Sequence, residues 1–221
     1  MPVTFSALTR VHIPEIVQLI AAPAQRMLLD AGATPNEAVA RVQRLKGPAQ
    51  ILQMLDRPHP DVLFGARDEA GELIGVAGLR VSGPGQAEMH TMYLAQRAQG
   101  RGLGRAFFEL RLDHARACGL DAVHLRTAAS NVRVQRLAAS LGFTVDGWLD
   151  STTMPGVVWQ LWKRAQLQSD APRVPGTALA AVDARVHAPA LASTLASTHV
   201  PAHARTHASA RAGDRALSMP V

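Results

Sequence analysis

The run Gln99-Gly100-Arg101-Gly102-Leu103-Gly104 decides the fold of this chain, because it joins a predicted strand that ends at Leu94 to a predicted helix. Glycines at such a junction let several backbone N–H groups point into one small space. The start of the following helix adds a partial positive charge, and Arg101 and Arg105 add full charges from the side. We therefore predict that the run binds a pyrophosphate group.

Two familiar nucleotide-binding motifs do not fit this run. A Rossmann fingerprint requires an early βαβ unit and wider glycine spacing, and a P-loop requires a lysine that is absent here. A plain tight turn that leads into a helix stays the alternative to an anion site.

The periodicity of apolar residues and the turn-forming Gly and Pro residues on both sides of the run predict the other helices and strands. Their order is β-α-α-β-β-β-α-β-α-β-β, in which antiparallel strands are followed by βαβ connections. This order is typical of an α/β (α+β) fold with a mixed, mostly antiparallel sheet and helices on both faces. The second helix is expected to begin behind the N-cap residue Thr34 and to continue to about Leu55. Strands are predicted at residues 3–8, 62–67, 73–81, 87–94, 123–127, 144–149 and 157–162, and helices at 13–29, 34–55, 103–117 and 131–140.

The composition changes near Gln166 and divides the chain of 221 residues into two parts. Residues 1–165 alternate apolar segments with turns, so we predict one folded domain there. Residues 166–221 consist mainly of Ala, Ser, Thr, His, Pro and Arg and contain no aromatic residue. Such a segment buries little apolar surface, so we predict a low-complexity, disordered tail.

The net charge of +6 comes mainly from arginines that are scattered along the chain. With no dense basic block, we expect no specific nucleic-acid partner, and a small anionic ligand would explain a few of the arginines equally well; nucleic-acid binding stays an alternative that rests on the basic pI alone. No apolar window of about 18 residues exists, and the N-terminus lacks the pattern of a signal peptide, so we expect no membrane partner. The single cysteine, Cys118, excludes an internal disulfide and favours a cytoplasmic location.

Two motifs in the correct order resemble those of the GNAT superfamily of N-acetyltransferases. The first is Gln99-x-x-Gly102-x-Gly104, which follows the predicted fourth strand as in that family. The second is Asn131, then Leu137 and Leu141-Gly142-Phe143, at the family's spacing. The resemblance covers about residues 3 to 165, so it identifies the predicted domain as GNAT-like.

The resemblance implies that acetyl-CoA is the cosubstrate and that a neutral amine attacks its thioester directly. It implies that backbone groups around Leu94 bind the pantetheine arm and stabilise the developing oxyanion. It also implies that Asn131 contacts the cofactor near the pantetheine or the reacting end. The implied cofactor-binding residues are Tyr93, Leu94, Gln99, Gly100, Arg101, Gly102, Leu103, Gly104, Arg105 and Asn131.

Glu88 and His90 are the candidate catalytic residues, because an ammonium ion must lose a proton before it attacks. With a period of two, both residues are expected to share a strand face with Met92 and Leu94. Their positions resemble those of bases in some family members, and we favour Glu88 slightly. The alternative is that both side chains lie in solvent at the edge of the sheet.

Ala138 departs from the family pattern, since many members have a tyrosine there that protonates the leaving thiolate. This departure supports an alternative function, a catalytically weak acetyl-CoA-binding sensor or interaction module. The expected acceptor of an active enzyme is the amine of a small molecule or peptide. Its recognition is expected to involve the first two helices and the loop from Asp150 to Gly156. A homodimer formed through the last strand is left open.

We expect no metal site. Cys118 follows a predicted helix, with His114 one turn before it, and is interpreted as a buried structural thiol. In the tail, His199, His203 and His207 are spaced by four, but Pro201 lies between them and no carboxylate or thiolate accompanies them.

Overall fold

A computed structural model describes residues 2–151 and 157–169 of the chain. In these ranges, seven strands form one sheet in the order β1-β2-β3-β4-β5-β7-β6. The strands are β1 Thr4–Ala7, β2 Val62–Arg67, β3 Leu73–Gly83, β4 Gln86–Leu94, β5 Ala122–Ala128, β6 Thr144–Asp150 and β7 Val158–Arg164. Only the pairing of β4 with β5 is parallel among the pairs described. This confirms the predicted mixed, mostly antiparallel sheet.

Helices cover both faces of the sheet, as predicted. One face packs under the first three helices through an aliphatic cluster that includes Ile16, Ile20 and Val76. The other face packs under the last two helices, where Phe107 and Phe108 are buried. The helices are α1 Ile13–Asp30, α2 Pro35–Lys46, α3 Pro48–Leu55, α4 Leu103–Ala117 and α5 Val132–Ser140. None of them is both long and apolar enough to cross a membrane.

The single helix predicted for residues 34–55 is wrong in one respect, because it consists of the two helices α2 and α3. Thr34 caps α2 as expected, in a capping box with Glu37. The helix stops at Gly47, whose backbone is extended, and α3 begins at Pro48. Proline has no N–H to continue a helical ladder and is well suited to the first position of a new helix.

Packed structure extends past residue 165. A short 3-10 helix at Leu167–Ser169 follows β7, and the side chain of Leu167 is completely buried in the cluster beneath α4 and α5. Its backbone N–H donates to the Asp121 carbonyl at 3.1 Å. Apart from residues 166–169, the predicted tail lies outside the described residues.

Candidate active site

The candidate site lies where β4 separates from β5. The two strands pair only between Gln86–Met89 and Ala122–Leu125, and beyond this point they diverge. Here β4 carries a bulge, because the register with β3 shifts by one residue and Thr91 has a φ of 49°. The separation leaves a cleft of about 570 Å³ that is lined by residues of both strands and by α1 and α2.

The bulge corrects the prediction that Glu88, His90, Met92 and Leu94 share one face. Met92 and Leu94 pack with the clusters beneath α4. His90 instead lies on the α3 side, and so does Tyr93, which packs with the cluster beneath α1. One extra residue in a strand shifts the side-chain alternation of everything after it to the other face.

Glu88 lines the cleft, but two arginines already engage both of its carboxylate oxygens. Arg80 Nη2 donates to Oε2 at 2.7 Å, and Arg126 Nη2 donates to Oε1 at 2.9 Å. Partial burial acts to raise the pKa of Glu88, but the hydrogen bonds and positive charges of Arg80 and Arg126 outweigh it and lower that pKa. The carboxylate is therefore held in its charged form, and both of its oxygens are already occupied by hydrogen bonds from arginines.

His90 also lines the cleft, directly over Gly78 of β3. Its Nδ1 lies 2.9 Å from Thr91 Oγ1, and the Lys46 ammonium donates to the same hydroxyl oxygen at 3.1 Å. Burial lowers the pKa of His90 to about 3, and the charges of Arg80, Lys46 and Arg111 act in the same direction. The imidazole is consequently neutral at physiological pH and retains a nitrogen lone pair.

Lys46 is a cleft residue that the sequence analysis missed. It lies at the end of α2, and its ammonium stands 6.0 Å from the centre of the Tyr93 ring. Burial and the nearby charge of Arg80 lower the pKa of this lysine. Nothing in the local sequence distinguishes Lys46 from an ordinary surface lysine, since only the packing of α2 over β4 brings it to the site.

Arg111 was also missed, although it is the largest fully buried side chain described. Its guanidinium donates to the carbonyls of Phe107 at 3.0 Å and Gly78 at 3.3 Å, and contacts Met92 Sδ at 3.5 Å. No carboxylate in the described ranges pairs with it, and burial lowers its pKa to about 9. Arg111 thus ties α4 to β3 at Gly78 and to β4 at Met92.

The glycine-rich run forms an open loop into α4, as predicted. Gly100 and Gly102 have φ values of 75° and 81°, which favour glycine, and a Cβ at either would meet no atom within 4 Å. Gly102 is the N-cap of α4, with no side-chain cap and no acidic residue in the first turn. The first backbone N–H groups of α4 therefore face outward with a partial positive charge.

The other predicted cofactor residues lie around this loop. Gln99 Nε2 is 3.5 Å from the Leu94 carbonyl, and both residues border a second cavity of about 860 Å³ beside α1. Arg105 bonds Ser140 Oγ at 2.9 Å and so connects the loop to α5. Asn131 lines the cleft and caps α5 by accepting from the Val134 N–H at 3.3 Å.

Two further sequence predictions have different outcomes. Ala138 is completely buried in the core with Phe108 and Phe143, so no hydroxyl takes the place of the missing tyrosine at this position. Of the predicted acceptor loop, Asp150 and Ser151 line the cleft, whereas residues 152–156 lie outside the described residues.

Comparisons with known proteins agree with this architecture. The model of the Acetyltransferase (GNAT) family matches residues 33–143. A mycothiol acetyltransferase from Beutenbergia cavernae is 36% identical over 86 residues, which cover 38% of this chain and 29% of that protein. An L-methionine sulfoximine/L-methionine sulfone acetyltransferase from Salmonella typhimurium is 36% identical over 76 residues, 29% of this chain and 44% of that protein. The chain thus matches less than half the length of either relative.

Solved structures show the same fold. The paia N-acetyltransferase from Thermoplasma acidophilum, solved in complex with coenzyme A, superposes with a TM-score of 0.62 at 13% identity. The superposition covers 75% of this chain and 99% of that one. Since the family model spans half of the sequence and both motifs lie where the fold requires them, the chain belongs to the GNAT family of acetyltransferases.

Proposed function

We propose that this protein is an acetyl-CoA-dependent N-acetyltransferase that acetylates the amine of a small molecule or peptide by direct attack. One observation carries the proposal. The cleft between the diverging strands β4 and β5 has the neutral imidazole of His90 among its lining residues, and the loop that ends at Gly102 follows the same strand.

The residues present fit acetyl-CoA. Beyond Met89 the backbone of β4 has lost its β5 partners, so its polar groups are available to the amides of a pantetheine arm. The open loop and the uncapped start of α4, with Arg101 and Arg105 nearby, suit a pyrophosphate. Bound there, acetyl-CoA supplies the thioester carbonyl that the amine attacks. Backbone N–H groups of β4 after the bulge at Thr91 would then stabilise the negative charge on its oxygen.

We assign the role of proton acceptor to His90 rather than to Glu88. The Thr91 hydroxyl donates its hydrogen toward Met54 Sδ at 3.9 Å, and its oxygen accepts from Lys46. Its second lone pair is then satisfied when His90 Nδ1–H donates to it. This arrangement leaves the lone pair on Nε2 for the proton of the incoming amine. Glu88 holds Arg80 and Arg126 in place instead, because both of its oxygens are engaged.

The charge of the cleft points to the acceptor class. Its described charged side chains are the cations Arg41, Lys46, Arg111 and Arg126 and the anions Glu88 and Asp150. An excess of cations favours an acceptor that has an anionic group besides its amine. The Salmonella relative is named for acceptors of the amino-acid type, which have such a group. We therefore propose a carboxylate-bearing amine.

An acceptor screen tests both parts of the proposal. Acetyl-CoA is held constant, and each amino acid is paired with its carboxamide, so that the members of a pair differ in the carboxylate. Acetylated product is detected by mass spectrometry. We expect product from some amines, faster with the acid of each pair. Preference for the carboxamides would refute the acceptor class while leaving the activity intact.

The alternative function, an acetyl-CoA-binding sensor, rests on the absence of a hydroxyl at Ala138. Calorimetric titration with acetyl-CoA, performed beside the acceptor screen, distinguishes the sensor from the enzyme. Binding without acetylation of any amine in the screen would favour the sensor over the enzyme.

A further inference from the structure

A separate group of chemically reactive side chains lies at the far end of α4 from the glycine-rich loop. It consists of His59, His114 and Cys118, whose three potential ligand atoms all lie within 4.8 Å of one another. Since α4 has 15 residues and rises about 1.5 Å per residue, the group is roughly 20 Å from the loop. The mechanism proposed above makes no use of these residues.

We propose that His59, His114 and Cys118 form a zinc site. Cys118 Sγ lies 3.5 Å from His59 Nε2 and 3.7 Å from His114 Nε2. In a tetrahedral zinc site, Zn–S is about 2.3 Å and Zn–N about 2.0–2.1 Å, which separates a sulfur from a nitrogen ligand by roughly 3.5 Å. The two observed sulfur–nitrogen spacings match this separation. The ligand atoms of the two histidines lie within 4.8 Å of each other, so side-chain adjustment can bring all three atoms around one ion.

The local structure explains why the three side chains meet. His114 and Cys118 are four residues apart on the last turn of α4, so they project from the same side of the helix. His59 comes from the turn between α3 and β2, and its ring packs edge-on against His114 with centroids 5.6 Å apart. The ring of Phe64 also packs against His114 in a T-shaped arrangement, with centroids 5.5 Å apart.

The donor set selects the type of ion. One thiolate and two imidazoles suit zinc and other soft or borderline metals, whereas magnesium and calcium prefer oxygen ligands. Three protein ligands leave a fourth position, and His59 is exposed, so water has access to it. The Pro60 carbonyl, 2.9 Å from His114 Nε2, gives up its hydrogen bond when that nitrogen binds the ion.

The site would join the turn before β2 to the end of α4, two segments that are distant in sequence. None of its three ligand residues lines the cleft, so the site is separate from the acetyl-transfer machinery. The proposal is therefore independent of the proposed function, and measurements of metal binding test it without any assay of turnover.

Cobalt titration is the sharpest test, because Co²⁺ substitutes for Zn²⁺ and reports thiolate ligation by a charge-transfer band. Cys118 is the one cysteine of the whole sequence, so such a band has a single source. With the untagged full-length protein, we expect a band that saturates at one equivalent and disappears when Zn²⁺ is added. Absence of the band in folded protein would overturn the proposal.

Variants identify the remaining ligands. We expect Cys118→Ser to abolish the band and His59→Gln to weaken cobalt affinity by roughly tenfold or more. His124→Gln, at a histidine that bonds Gln86 outside the group, is the matched control and should bind as the native protein does. Zn²⁺ should also raise the melting temperature of the native protein but not of Cys118→Ser. Cobalt binding that is unaffected by His59→Gln would contradict the site.

Discussion

Gly78 offers a way to displace His90 without changing any polar group of the cleft. Gly78 pairs directly with His90 across β3 and β4. A methyl group added there would meet His90 Cε1 and would lie 2.6 Å from Nε2 and 2.9 Å from Nδ1. Because non-bonded carbon atoms prefer about 3.5–4.0 Å, Gly78→Ala must move the imidazole by roughly 1 Å.

The size of the expected effect follows from this displacement. A catalytic group misplaced by about 1 Å costs on the order of 100-fold in rate, and overpacking costs about 1–3 kcal/mol of stability. The glycine-rich loop lies on another segment, so affinity for acetyl-CoA should change little. We therefore expect Gly78→Ala to lower kcat about 100-fold and to leave the KM for acetyl-CoA nearly unchanged.

Steady-state kinetics with the best acceptor of the screen measure this effect, with circular dichroism as a check of folding. Gly83→Ala is the matched control, because it lies on the same strand with no atom within 4 Å of the added Cβ. It should retain nearly native turnover. A folded Gly78→Ala variant with native kcat would refute the reasoning that the position of His90 matters for acetyl transfer.

Because the pKa of His90 is about 3, its imidazole stays neutral near pH 6.5, and we expect no loss of kcat/KM from its protonation at that pH. A loss of kcat/KM centred near pH 6.5 that His90→Gln removes would contradict this prediction. Gly102→Ala, at a φ of +81°, introduces roughly 1 kcal/mol of backbone strain and should weaken acetyl-CoA binding about fivefold in calorimetry. The control Gly32→Ala, at a φ of +89° just after α1, should leave acetyl-CoA affinity unchanged. Ala138→Tyr should lower the free energy of unfolding by about 1–3 kcal/mol in urea without raising turnover, and a faster enzyme would show that the missing hydroxyl limits it. Leu167→Ala should lower the same free energy by about 3 kcal/mol, and an unchanged midpoint would exclude Leu167 from the core.

Local chemistry made the cofactor loop and the helix starts predictable. A glycine needed at positive φ, such as Gly102, and a cap such as Thr34 act within a few residues, so the sequence contains the whole signal. The order of the elements followed from periodicity in the same way. These features sufficed to predict a mixed sheet with helices on both faces.

The arrangement inside the cleft depends on contacts between distant segments, which a single sequence does not reveal. Strict alternation assigned Met92 to the face of Glu88, because nothing local to Thr91 indicates a bulge. The two arginines that engage Glu88 come from neighbouring strands, and Lys46 comes from a helix 45 positions before Thr91. The preference for Glu88 as the base changed for this reason.

The bulge at Thr91 also has a consequence for how such enzymes diversify. It divides one strand into two surfaces, with Glu88 and His90 on the side of α3 and Met92 and Leu94 on the side of α4. Under the proposed function, the first surface meets the acceptor and the second supports the cofactor. Substitutions that change acceptor specificity therefore need not weaken acetyl-CoA binding. The one extra residue in β4 thus allows the two properties to change independently.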